Sequence, residues 1–110
     1  MKSPIYLRLR NRLSSFVKRL APLRFFVVGG KSMEPTLKEG SRLLVFSWAP
    51  KRRGDILVFR KEGLIMVKRA VTYESNRWQV RADNLKEGDD SLVFGGVPDA
   101  DVVGRVIAHW

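Results

Sequence analysis

Hydrophobic and polar positions follow two different periods along this chain, and the change falls near residue 24. Between residues 5 and 20, Leu9, Leu13, Phe16, Val17 and Leu20 recur at helical spacing, and arginines and lysines fill much of the rest. That is the pattern of an amphipathic helix. Pro22 sets its end, because the residue before a proline avoids the helical region. From residue 24 onward, short runs rich in β-branched and aromatic residues take over. They lie at 24–28, 42–48, 55–60, 64–73, 77–81 and 102–108, separated by Gly, Pro, Asn and Asp. Closely spaced short strands predict a mainly β fold, an antiparallel barrel or coiled sheet. The expected organisation is a helical arm over residues 1–23 and one β domain over residues 24–110, in keeping with a chain of 110 residues.

Charge sharpens this division. The net charge is +10, but residues 1–33 hold eight basic residues and no acidic one. The remainder is nearly balanced, with 13 basic and 11 acidic residues. A basic amphipathic arm fits an anionic membrane surface. The competing readings are a helix packed on its own domain and, with less support, a nucleic-acid contact. Lys51-Arg52-Arg53 reads as a solvated loop. No run approaches the roughly 20 apolar residues of a membrane span, and no unbroken apolar core follows the basic start as in a secretory signal peptide. Peripheral membrane association through residues 1–23 is therefore the expected location, with the cytoplasm as the alternative.

Composition narrows the chemistry. There is no cysteine, which excludes disulfides, thiolate metal sites and a cysteine nucleophile. The single histidine, His109, sits beside the chain end, so a His-rich metal site is excluded and a histidine base would have to be this one. No cofactor is implied.

The stretch "VVGGKSMEPTLKEG", residues 27–40, raises the question of a nucleophile. Gly29 and Gly30 permit positive φ and close approach of a substrate to Ser32, while Pro35 stiffens the turn. The plainer reading is a surface turn in which Thr36 and Glu39 form a capping box. A serine needs a base to take its proton. Lysine serves if burial keeps it neutral. One lysine lies inside an apolar strand, in "LIMVKRAV", residues 64–71. Leu64, Met66, Lys68 and Ala70 share one face, and Ile65, Val67, Arg69 and Val71 share the other. Each face carries one cation, and alternation does not choose which points inward. Only Lys68 qualifies as a base, since arginine stays charged. Otherwise Lys68 is an edge-strand charge that blunts aggregation.

Taken in order, "SMEPTL" (32–37), "GDILVF" (54–59), "VKRAV" (67–71) and "ADN…DDS…FGGVP…VVGRV" (82–106) resemble the conserved boxes of type I signal peptidases. The resemblance covers roughly residues 25–110. It implies a Ser/Lys dyad on a mainly β fold, with Ser32 as nucleophile and Lys68 as general base. It implies that the oxyanion is held by the backbone N–H of Ser32 and by a donor at Gly30, which has no side chain and must use its backbone or a bound water. Met33 would line the site. Asp83, Asn84 and Asp90 match the last box and would support the lysine and the strand packing around it, while Asp55 is more structural. Three positions depart from the family pattern: Ala82 replaces a glycine, Gly88 a serine that orients the lysine, and Leu92 an arginine. Such losses loosen a general base without removing it.

The resemblance also implies the reaction: endoproteolytic removal of a signal peptide or propeptide from a precursor, after a small residue. Two relatives offer variants. Soluble maturation proteases, such as those that trim nickel superoxide dismutase, act on one dedicated precursor. Self-cleaving repressors share the dyad but cut at Ala-Gly or Cys-Gly, and neither dipeptide occurs here. A further alternative is a catalytically weak homologue that binds membrane or nucleic acid through its arm.

Overall fold

A computed structural model describes residues 22–84, 86 and 95–110. The helix expected over residues 5–20 lies outside them, as do Gly88, Asp90 and Leu92. The strands are β1 (Leu23–Val27), β2 (Arg42–Phe46), β3 (Ile56–Lys61), β4 (Leu64–Glu74), β5 (Arg77–Arg81), β6 (Val97–Pro98) and β7 (Val102–His109). A 3₁₀ turn, Asp99–Asp101, joins the last two. All form one sheet in the order β1-β2-β7-β3-β4-β5-β6, antiparallel throughout. Of the two expected forms, the open sheet is the one observed: β1 and β6 are its edges, and they do not pair to close a barrel.

The hairpin chemistry explains much of this order. Glu62 and Gly63 turn β3 into β4 with φ of 52° and 80°, and Ser75 and Asn76 turn β4 into β5 with φ of 55° and 63°. Positive φ at both central residues is the turn geometry that matches the twist of paired strands. Register shifts at Leu44/Val45, Val58/Phe59 and Ala70/Thr72 mark bulges. Bulges bend a strand and increase its twist, so the sheet coils.

Coiling buries the middle of the sheet on both faces. Leu57, Val58 and Phe59 are consecutive on β3 and all fully buried, as are Val67 and Lys68 on β4. Cross-strand partners share a face, so a single row can be followed from edge to centre: Leu23, Phe46, Arg105, Leu57, Lys68. Leu23, at the edge, is 45 % exposed; Lys68, at the centre, is not exposed at all. The lysine that alternation left undecided therefore faces the core side, while its neighbour Arg69 is half-buried.

Candidate active site

The loop after β1 is closed at its neck. The N–H of Val28 donates to the carbonyl of Ser41 at 2.8 Å, and the N–H of Gly40 donates to the carbonyl of Val28 at 2.7 Å. Within the loop the chain makes one helical turn, with Glu34 N–H on the Lys31 carbonyl (3.1 Å) and Leu37 N–H on the Met33 carbonyl (2.8 Å). Residues four apart on such a turn share a face. Met33 and Leu37 are both fully buried, whereas Pro35, Lys38 and Glu39 are exposed. Two apolar side chains thus plug the turn into the core and carry Ser32 with them. Gly30, not Gly29, takes the positive φ, at 97°. The Glu34–Pro35 peptide is cis.

Ser32 is fully enclosed, and its Oγ takes part in no hydrogen bond among the described residues. Buried polar atoms are normally satisfied, so this hydroxyl departs from the usual pattern. Among the described residues, the buried polar or charged side chains are Ser32 and Lys68.

The short segment after β5 links the loop to β4. Asn84 donates its N–H to the Ser32 carbonyl at 2.8 Å and its Nδ2 to the Lys31 carbonyl at 3.0 Å. The Asp83 N–H points to Met33 Sδ at 3.5 Å. The Asp83 carboxylate accepts from Thr36 Oγ1 at 2.6 Å and from Arg69 through Nη2 at 2.6 Å and Nε at 3.1 Å. Arg69 also donates Nη1 to the Gly54 carbonyl at 2.8 Å. Lys68 and Ser32 are therefore joined through neighbours: Arg69 follows Lys68 and grips Asp83, and Asn84 follows Asp83 and grips Ser32. Ala82, just before this clamp, is buried.

Burial pushes the Asp83 carboxyl up, but hydrogen bonds from Arg69 and Thr36 and the charge of Arg69 outweigh it, leaving the group below the usual carboxylate range. The same hydrogen bond holds the Arg69 guanidinium above its ordinary value. The pair is a partly exposed ion bridge, 33 % and 18 % by side chain.

Several expected residues fall together here. Ser32, Met33, Asp83 and Asn84 make direct contacts, and Gly30 lies two residues before the serine. Thr36 does not form a capping box with Glu39; its hydroxyl is engaged by Asp83. Asp55 caps the turn at Arg52, accepting that residue's N–H at 2.7 Å, and lies 3.9 Å from Arg105. His109 is exposed at the end of β7. The residues that sequence reasoning missed are Thr36 and Arg69 as partners of Asp83. They stand 47 and 14 positions from it, and no local signal joins them.

A family model described as Peptidase S24-like matches residues 6–107, nearly the whole chain. The chain belongs to the S24-like peptidase family. It is also 34 % identical over 83 residues to signal peptidase I U of Bacillus subtilis strain 168. That match takes in 70 % of this chain and 44 % of the relative, so the chain spans less than half the length of the signal peptidase it resembles. Within this family assignment, the expected likeness to type I signal peptidases holds.

Proposed function

We propose that this S24-like peptidase is a serine endopeptidase with a Ser/Lys dyad that trims a protein precursor after a small residue. One observation carries the reading. The two residues singled out by sequence, Ser32 and Lys68, are the buried polar and charged side chains among the described residues, and the Asp83–Asn84 clamp grips Ser32 on one side and Arg69, the neighbour of Lys68, on the other. Burial disfavours the ammonium and lowers the pKa of a lysine, which equips Lys68 to act as a base.

The steps follow from the groups present. Neutral Lys68 Nζ takes the proton of Ser32 Oγ, and Oγ attacks the scissile carbonyl carbon. The oxyanion is held by the Ser32 N–H and by a backbone donor near Gly30, where positive φ turns the chain; each such donor is worth a few kcal/mol, about 3–4. The C–N bond breaks, and Lys68 returns its proton to the leaving amine. Lys68 then deprotonates a water that attacks the acyl carbon, the C–Oγ bond breaks, and Lys68 returns that proton to Ser32 Oγ. Because Ser32 is fully enclosed, substrate entry has to displace what covers it. The substrate is an extended segment of a secretory or propeptide-bearing precursor, and the basic residues of the arm bring the peptidase itself to an anionic membrane.

Ser32→Ala and Lys68→Met test the dyad. Each is expected to lower cleavage of a precursor peptide by on the order of 10⁴-fold or more; wild-type rates in either variant would sink the assignment. In the wild type, kcat/KM should rise with pH through a group titrating below the ordinary lysine value of about 10.4. A profile without such a group would remove Lys68 as the base.

A further inference from the structure

We infer that Thr36 is a positioning residue for the nucleophile: its hydroxyl, through Asp83, fixes the loop that carries Ser32 against the strand that carries Lys68. This inference rests on the dyad reading above. It starts from the idle Ser32 hydroxyl. Since Oγ makes no hydrogen bond among the described residues, its direction is inherited from the loop.

Besides its buried Met33 and Leu37, the loop is held by hydrogen bonds to the segment after β5 in each of its halves. Asn84 grips its first half, through the Ser32 and Lys31 carbonyls. Buried Met33 and Leu37 set the depth of the turn in the core, and a polar grip on its second half adds direction. Thr36, four residues after Ser32, supplies the second grip in the other half, from Oγ1 to Asp83 Oδ2 at 2.6 Å. A hydroxyl on a carboxylate makes a short, charge-assisted bond.

The peg it grips is rigid. Two nitrogens of Arg69 fork onto both Asp83 oxygens, and a third nitrogen is spent on the Gly54 carbonyl. Threonine also suits the task as a side chain, being β-branched and stiff about χ1. The contact of Met33 sulfur with the Asp83 N–H, at 3.5 Å, is a weaker tie of the same pieces.

Thr36→Val keeps the shape and removes the hydroxyl; Thr36→Ser keeps the hydroxyl. In the full chain, with a precursor peptide that the wild type cuts, Thr36→Val should lower kcat by on the order of 10- to 100-fold, the effect of ångström-scale misplacement. KM and the pH midpoint of the Lys68 limb should stay unchanged, and Thr36→Ser should restore kcat to within a few-fold of wild type, roughly the reach of a conservative swap. Combined with Asp83→Asn, Thr36→Val should add little, because the two act through one bond. Unchanged kcat in Thr36→Val, or fully additive effects in the double variant, would overturn the inference. If the wild type cuts no peptide, the dyad reading fails first, and amide hydrogen exchange decides this one separately. Thr36→Val should speed exchange at Leu37 and Asn84 while Thr36→Ser does not; equal protection in all three proteins would overturn it.

Discussion

At the scale of single residues, Asp83 is where acid reaches the site. Its carboxyl lies below the ordinary range in the folded protein. A depressed group stabilises the fold fully above its unfolded pKa, near 4, and that contribution is lost as pH falls through the lower folded value. Wild-type stability should therefore drop below about pH 4 more steeply than that of Asp83→Asn, measured by denaturant midpoints across pH 2–6 (roughly the span of carboxylate titration). Parallel curves for the two proteins would show that the Thr36–Asp83–Arg69 bridge carries no acid sensitivity. This part of the site was only half legible in the sequence. Lys68 stood out because only one lysine sits inside an apolar strand. Whether it or Arg69 was enclosed depended on how far along β4 each face of the coiled sheet is covered, and alternation holds no record of that. The partnership of Thr36 with Asp83 joins residues 47 positions apart, so it emerges only from the packing of the loop on the segment after β5.

At the scale of elements, the strands were legible because their composition and turn residues agree. The run at 77–81 matches β5 without change, and the others shift at their ends by one or two residues. The two-residue strand β6 was not legible: Val97-Pro98 carries no periodicity, and it becomes a strand only by pairing with Arg77 and Trp78 on β5. Nor were the bulges, which coil the sheet. Gly104 on β7 shows how tight that coiling is. A Cβ there would stand 2.8 Å from the Phe46 carbonyl oxygen and 2.8 Å from Val45 Cγ1. The oxygen belongs to the β2 backbone and has no rotamer to yield. Gly104→Ala should therefore destabilise the fold by about 1–3 kcal/mol, read as a lower denaturant midpoint with unchanged slope. A change under about 0.5 kcal/mol, the range of ordinary surface substitutions, would mean that β2 and β7 slide apart without strain.

For the molecule as a whole, the charge is concentrated in the first third of the sequence. Eight basic and no acidic residues fall within residues 1–33, while the rest of the chain is nearly neutral. No helix among the described residues is long and apolar enough to cross a membrane; the proposed membrane contact rests on the basic charge of the arm. Each Lys or Arg near an anionic surface contributes about 1 kcal/mol. Replacing Arg8, Arg10, Arg12, Lys18 and Arg19 together by glutamine should then weaken binding to phosphatidylserine-containing vesicles by roughly 100-fold or more, and added salt should weaken the wild type in the same direction. Equal binding by the two proteins would move the contact away from the arm.

The central claim, that Ser32 is the nucleophile of a precursor-trimming peptidase, meets its most direct test in one mass-spectrometric experiment. A panel of secretory-precursor peptides is incubated with the full chain in the presence of lipid, beside the Ser32→Ala variant. The account predicts cleavage at a single bond after a small residue by the wild type, and none by the variant. Equal cleavage by both proteins would contradict it. So would a folded, lipid-bound wild type that cuts none of the panel, which would leave this fold as a membrane-binding relative without the reaction.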